Sequence, residues 1–147
     1  MKIISGHLKN KRLILPVDRS TRPLKSIVRE SIFNIIEHSK IFNFKIKGSN
    51  VLDLFSGIGS FGLEFVSRGA DKVIFCENYQ PSIKILKKNI LNLNCSKNTL
   101  VFENDIYSQN FFQNLPNKKF EIIYLDPPFK EKRINELLKN INNNKLL

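Results

Sequence analysis

The sequence has few of the residues that staple secreted proteins or hold structural metals. Two cysteines, Cys76 and Cys95, fit neither a disulfide framework nor a zinc-binding spacing. Two histidines, His7 and His38, lie far apart without companion ligand residues, so we expect no bound metal. No window holds eighteen uninterrupted apolar residues, and the first residues lack the apolar stretch of a signal peptide. These absences predict a cytoplasmic protein in a reducing compartment.

Acidic residues are also scarce, with 13 Asp and Glu against 24 Lys and Arg, for a net charge of +11. Residues 1–47 hold eleven basic and three acidic residues, a net +8, whereas residues 48–147 hold thirteen and ten, a net +3. Such asymmetry favours a polyanionic partner, most often nucleic acid, although a solvated basic face without a partner is the alternative. We therefore predict a basic nucleic-acid-binding extension over 1–47 and a separate core domain over 48–147.

The pattern of apolar residues after position 48 alternates between two periods. Strands are predicted over 51–55, 72–76, 99–102 and 121–125, and helices over 60–68, 81–94 and 132–143. Strand–helix alternation of this kind is typical of right-handed βαβ units and a parallel sheet, so the fold class is α/β.

The basic first third of the chain shows a different pattern. Two short apolar runs, 2–5 and 11–15, surround a polar loop and predict a hairpin or extended arm. A helix is predicted over about 24–39, because apolar residues recur at helical spacing on one face. The residues of that predicted face are Val28, Ile32, Ile35 and Ile36.

The segment DLFSGIGSFG, from Asp53 to Gly62, follows the first predicted strand and precedes a helix. Its glycines have the G-x-G-x-x-G spacing that lets a backbone approach a ligand closely at a helix N-terminus. Glu77 lies twenty residues after Gly57, where a carboxylate can accept both hydroxyl groups of a ribose. Alone, this pattern also fits a nicotinamide-dependent oxidoreductase or a purely structural glycine turn.

Asp53 argues against a dinucleotide, because a carboxylate beside the glycine turn would repel a pyrophosphate. S-adenosylmethionine carries a sulfonium and an ammonium group and no phosphate, so it fits this set of residues better. Asp105, at the end of the third strand, can accept a hydrogen bond from an adenine amino group. An Asx turn is the structural alternative for Asp105.

A second motif, Asp126-Pro127-Pro128-Phe129, directly follows the fourth predicted strand. The prolines remove backbone donors and stiffen the turn, so that carbonyl oxygens face outward. Asp126 adds a further acceptor, and Phe129 adds a flat stacking surface. Acceptors beside an aromatic face suit an extruded planar base that carries an exocyclic amino group.

Together the two motifs resemble the class I amino-methyltransferases. The run from Ile3 to Gly6, Lys11-Arg12-Leu13, Arg22-Pro23 and the segment VRESIFN from Val28 resemble the bacterial 16S ribosomal RNA guanine-N2 methyltransferase family. The resemblance covers nearly the whole chain. It implies a Rossmann-like parallel sheet, S-adenosylmethionine as cofactor, and 16S ribosomal RNA or an assembled 30S particle as partner.

Three groups of candidate residues follow from the motifs and the resemblance. The predicted cofactor contacts are Asp53, Phe55, Ser56, Gly57, Gly59, Glu77, Asn78, Asp105 and Ile106. The predicted catalytic residues are Asp126, Pro127, Pro128 and Phe129. The predicted RNA-phosphate contacts, for each of which plain solvent exposure is the alternative, are Lys9, Lys11, Arg12, Arg22, Lys25 and Arg29.

The chain is shorter than the fold that it resembles. The class I sheet has seven strands in the order 3-2-1-4-5-7-6, and we find only the four that give 3-2-1-4. We therefore predict a C-terminally truncated enzyme, without strands 5–7, whose fourth strand has an open apolar edge. A complete protein would be a monomer, whereas the truncated chain should self-associate. A catalytically inactive RNA- or cofactor-binding fragment and a DNA adenine-N6 methyltransferase remain alternatives.

Overall fold

The structure, a computed structural model, describes residues 1–17, 26–41, 44–116 and 119–147. In chain order its helices and strands are α1 (Ser26–His38), β1 (Asn50–Leu54), α2 (Gly62–Ser67), β2 (Lys72–Cys76), α3 (Gln80–Asn92), β3 (Thr99–Phe102), β4 (Ile122–Leu125) and α4 (Ile134–Asn143). Short 3-10 turns at Ser96–Asn98 and Phe112–Asn114 flank β3. None of the described helices has both the length and the apolar character to cross a bilayer.

The four strands form one parallel sheet in the order β3-β2-β1-β4, which confirms the predicted class I order. The two central strands, β1 and β2, are buried almost throughout, since helices and loops cover both faces of the sheet. In the register of β1 and β4, Asp53 lies opposite Tyr124 and Leu54 opposite Leu125. The carboxyl ends of these neighbouring strands therefore carry the two predicted motifs side by side.

Each face of the sheet has its own apolar cluster. Val51, Val73 and Phe75 point to the face covered by α2, α3 and the first third of the chain. Leu52 and Ile74 point to the other face, where α4 and the segment 106–115 pack. The alternation of side chains along each strand sends successive residues to opposite clusters.

The N-terminal arm packs on α2. An antiparallel bridge joins Lys2 to Arg12, and Ile3, Leu8 and Leu13 enter the same apolar cluster as β1 and β2. The buried Glu64 carboxylate accepts hydrogen bonds from the backbone N–H groups of two arm residues, at 2.8 and 2.9 Å. The arm and the sheet therefore share one core, and the division at residue 47 stays a prediction about function.

The buried face of α1 matches the predicted one in part, since Ile32 and Ile36 pack against the core as expected. Arg29 and Phe33 are buried, whereas Val28 and Ile35 are 41% and 56% exposed. The Arg29 guanidinium donates to the carbonyl oxygens of Lys2 and Ser60 and lies near the Glu64 carboxylate. Burial lowers the pKa of Arg29, and the neighbouring Glu64 charge opposes that shift. The prediction that Arg29 contacts RNA phosphates is therefore wrong, because its side chain is enclosed in the core.

Candidate active site

The turn between β1 and α2 brings backbone N–H groups to the carboxyl edge of the sheet. Phe55, Gly57 and Gly59 all have positive φ angles, of 62°, 54° and 82°. A Cβ atom at Gly59 would lie 2.4 Å from Leu86, and one at Gly62 would lie 2.3 Å from the ring of Phe75. Glycine at 59 and 62 is thus required for close packing of the turn against β2 and α3.

Glu77 holds the glycine turn from the end of β2. Its Oε2 accepts a hydrogen bond from the Gly57 N–H at 2.7 Å, and its Oε1 accepts from Asn78 and Tyr79 at 3.0 and 2.9 Å. Ser56 adds a bond from its N–H to the Cys76 carbonyl at 3.0 Å. The structure thus places Glu77 beside the glycine turn, with its carboxylate oriented by three backbone donors.

Asp53 lies beneath the turn and is 1% exposed. Its Oδ2 accepts a hydrogen bond from the Gly62 N–H at 3.0 Å, whereas its Oδ1 has no partner among the described residues. Burial raises the pKa of Asp53 to about 8; the charges of Asp126 and Glu77 contribute to this shift, and the Gly62 hydrogen bond only partly offsets it. An unpaired buried carboxyl oxygen of this kind is suited to a cationic ligand.

The Asp126-Pro127-Pro128-Phe129 turn forms the opposite side of the site. The Pro128 carbonyl accepts a hydrogen bond from the Glu131 N–H at 2.8 Å, which closes the turn. The Phe129 side chain projects fully into solvent. Burial raises the pKa of Asp126 from its ordinary value.

Tyr124, on the strand just before this turn, is a site residue that the sequence did not reveal. Its ring stacks on Phe61 with 3.5 Å between ring centroids and 7° between planes. Burial raises the pKa of its hydroxyl, and the charges of Asp126 and Asp53 act in the same direction. Strand alternation placed Tyr124 on the face of Asp53, which was the available signal.

The loop after β3 supplies a third side of the site. Asp105 Oδ1 accepts a hydrogen bond from the Tyr107 N–H at 2.9 Å, so the structure contains the Asx turn that was the alternative for this residue. Ile106 is buried beneath the loop. Asp105 nevertheless lines the same cavity as Glu77.

All these elements surround one cavity of about 810 Å³ at the carboxyl edge of the sheet. That volume lies in the range of cavities that hold small-molecule ligands, at the position where open α/β sheets bind them. Every predicted catalytic residue lines it, as does every predicted cofactor residue except Gly59, which is packed behind the turn. Further lining residues that the sequence did not indicate are Phe61, Ser82, Tyr107, Tyr124, Glu131 and Arg133.

Only some of the predicted RNA contacts lie exposed in the described part of the chain. Lys9, Lys11 and Arg12 are exposed on the hairpin, whereas Arg22 and Lys25 lie outside the described residues. The chain continues from the hairpin past α3, where the Asn89 side chain bonds both the N–H and the carbonyl of Ile14, at 2.7 and 3.2 Å. These three hairpin residues remain candidates for RNA binding.

The described residues contain no cluster of three or more His, Cys, Asp or Glu side chains that could hold a metal ion. A parallel 3-2-1-4 sheet, a glycine turn with acidic partners and a proline turn on the adjacent strand define the class I methyltransferase fold.

The chain belongs to the family described as Conserved hypothetical protein 95, which matches residues 1–147. Ribosomal RNA small subunit methyltransferase D of Buchnera aphidicola from Baizongia pistaciae is 37% identical, across 100% of this chain and 74% of that protein. YlbH of Bacillus subtilis, described as an rRNA methyltransferase, is 35% identical, across 100% and 77%. The Escherichia coli structure of yhhF, described as a methyltransferase, superposes with a TM-score of 0.78 at 27% identity, across 100% and 74%. The predicted methyltransferase family is confirmed.

Proposed function

We propose that this chain transfers a methyl group from S-adenosylmethionine to the exocyclic N2 amino group of a guanine in 16S ribosomal RNA. One observation carries the proposal. Asp53 and Glu77, at the ends of β1 and β2, line the same cavity as the turn 126–129, which follows the neighbouring strand β4. The names of the Buchnera and Bacillus relatives support ribosomal RNA as the substrate class. The hydrogen-bond acceptors of the proline turn support an amino nitrogen as the atom that is methylated.

The residues on the glycine-turn side fit the proposed cofactor. S-adenosylmethionine supplies an electrophilic sulfonium methyl group when it is bound. The free Asp53 Oδ1 suits its ammonium group, and Glu77, already oriented by backbone donors, keeps acceptor capacity for ribose hydroxyls. Phe55, Ser56, Asn78 and Ile106 complete the proposed cofactor surface, with Asp105 next to the adenine amino group.

The residues on the proline-turn side fit a planar base with an amino group. Phe129 offers its exposed ring for stacking. Asp126 and the Pro127 carbonyl can accept hydrogen bonds from the two N–H groups of the amine. Those bonds orient the nitrogen lone pair toward the cofactor side and stabilise the positive charge that develops on nitrogen. As the new N–C bond forms, the S–C bond would break and a neutral thioether would leave. One N–H proton would then pass from the methylated nitrogen to the Asp126 carboxylate or to water.

The hairpin cations complete the proposal. Lys9, Lys11 and Arg12 would contact RNA phosphates, so that residues 1–47 serve RNA binding and residues 48–147 serve cofactor binding and transfer. Charge reversal of Lys11 and Arg12 should weaken RNA binding and lower its salt dependence. An unchanged affinity and salt slope would exclude the hairpin as an RNA contact.

The decisive experiment compares the wild-type chain with Asp126→Ala. Calorimetry measures S-adenosylmethionine affinity, and mass spectrometry of nucleosides from methylated 30S particles identifies the product. We expect N2-methylguanosine from wild type, no product from Asp126→Ala, and nearly equal cofactor affinity for both. Cofactor binding without transfer to any RNA would favour the inactive fragment. Transfer to adenine in DNA would favour the adenine-N6 alternative, and loss of cofactor affinity in the variant would move Asp126 to the cofactor site.

A further inference from the structure

A cation stacks at the edge of the cavity, next to the proline turn. The Arg133 guanidinium carbon lies 3.6 Å from the centroid of the Tyr107 ring. Both residues line the cavity that also contains Phe129. Neither residue belongs to the glycine turn or to the proline turn, and the pair joins the loop after β3 to the segment that precedes α4.

Glu131 also contacts Arg133. Its Oε1 accepts the Arg133 backbone N–H at 2.7 Å and lies 3.7 Å from Nε of the same arginine. The Glu131 side chain is only 15% exposed, while the Arg133 side chain is 52% exposed. The arginine is therefore restrained, while about half of its side chain remains accessible to solvent.

The terminal nitrogens of Arg133 make no hydrogen bond within the described part of the chain. A guanidinium stacked on an aromatic ring keeps its N–H donors free in the plane of the group, where they match a phosphate or a carboxylate. Because stacking and the Glu131 contact already limit its rotamers, little further side-chain entropy is lost when an anion binds. The arrangement is that of a preorganised anion site.

Chain geometry connects this site to the base that the cavity is proposed to hold. Arg133 lies four residues after Phe129, and the turn between them is folded back by the bond from Glu131 to Pro128. A base stacked on Phe129 must keep its own sugar and phosphates at the cavity edge. Two further exposed cations, Lys130 and Lys132, flank the same segment, which gives that edge a local positive charge.

We propose that Arg133, stacked on Tyr107, binds the backbone phosphate of the RNA nucleotide whose base enters the cavity beside Phe129. The inference rests on the proposed function and adds a substrate contact to it. It also assigns Tyr107 a positioning role, since the ring supports the guanidinium without touching the RNA.

The test measures binding of a 20-nucleotide single-stranded RNA containing guanine by fluorescence anisotropy between 50 and 200 mM salt. Loss of one phosphate contact should lower the slope of log K against log salt by about 0.7 in Arg133→Gln. Arg133→Lys should keep the slope but bind more weakly, because it loses the planar fork. Tyr107→Leu should weaken binding, whereas Tyr107→Phe, which keeps the ring, should behave as wild type. Lys84→Gln, an equal change of charge at an exposed position of α3, is the matched control.

Three results would overturn the proposal. An unchanged slope with a lower melting temperature in Arg133→Gln would make the residue a structural contact of α4. An unchanged slope with weaker S-adenosylmethionine binding would assign it to the cofactor carboxylate. Absence of RNA binding by the wild-type chain would also refute it. Methyl transfer to 30S particles is assayed in parallel, so that an active enzyme with an unchanged slope refutes only the phosphate contact. An inactive chain whose slope falls refutes only the enzymatic function.

Discussion

The buried Asp53 carboxyl should make folding stability depend on pH in a way that one substitution removes. Its pKa is raised to about 8 in the folded chain, whereas an unfolded chain gives aspartate a value near 3.8. Between these two values the folded state binds one more proton than the unfolded state. Stability from this group is therefore fully present at low pH and is lost as pH rises toward 8.

Because the two states differ by one bound proton at this group, its contribution to the free energy of unfolding should fall by about 1.4 kcal/mol per pH unit in this range. Asp53→Asn keeps an acceptor for the Gly62 N–H and has no titrating group, so its stability should lack this slope. The free energy of unfolding of Asp53→Asn minus that of wild type should then increase by about 2.7 kcal/mol from pH 5 to pH 7. Taking the difference removes the contributions of all other titrating groups.

Urea unfolding followed by circular dichroism at pH 5, 6 and 7 measures this difference directly. Asp71→Asn, the same substitution at an exposed aspartate, is the matched control. If the Asp53→Asn difference is flat over this range, Asp53 is ionised in the folded chain, and the burial-raised pKa is refuted.

Three other outcomes follow from the packing. Glu64→Gln should destabilise the fold by about 3–5 kcal/mol in urea unfolding, because it leaves the buried arginine of α1 unpaired, while Glu103→Gln at the surface should leave the urea midpoint unchanged. Asn89→Ala should expose the Ile14 amide to faster hydrogen exchange, and equal protection in both proteins would contradict the role of this side chain in holding the arm. The outer edge of β4 has no partner strand in the described sheet, so sedimentation should detect association that grows with concentration; a monodisperse monomer at all concentrations would refute this.

Local chemistry explains which parts of the fold could be predicted. The strands Lys72–Cys76 and Thr99–Phe102 were predicted at their observed bounds, because an apolar run limited by polar or turn residues defines a short buried strand. Helix α3 buries Ile83, Leu86 and Ile90 as its spacing predicted. The glycine and proline turns were also readable, since their backbone requirements select particular residue types within a few positions.

Helix α1 shows where such reasoning fails. Its apolar spacing favoured Val28 and Ile35 as buried, yet the arm and α2 cover the neighbouring face instead and enclose Arg29. That outcome depends on the Glu64 carboxylate, which lies 35 residues further along the chain and offsets the cost of burying the guanidinium. A pattern within one helix contains no information about a partner of this kind.

The amino-acid sequence by itself determined the α/β class and the two motifs, because these depend on local periodicity and on short-range backbone chemistry. The strand order was expected only from the resemblance to the class I methyltransferases. Only the tertiary structure decided which motif residues share a cavity, which cations reach solvent and which side chains meet across loops. Arg133 and Tyr107, 26 positions apart, stack because two strands at opposite edges of the sheet send their following segments to the same face. Contacts of that range arise from packing, and no single segment encodes them.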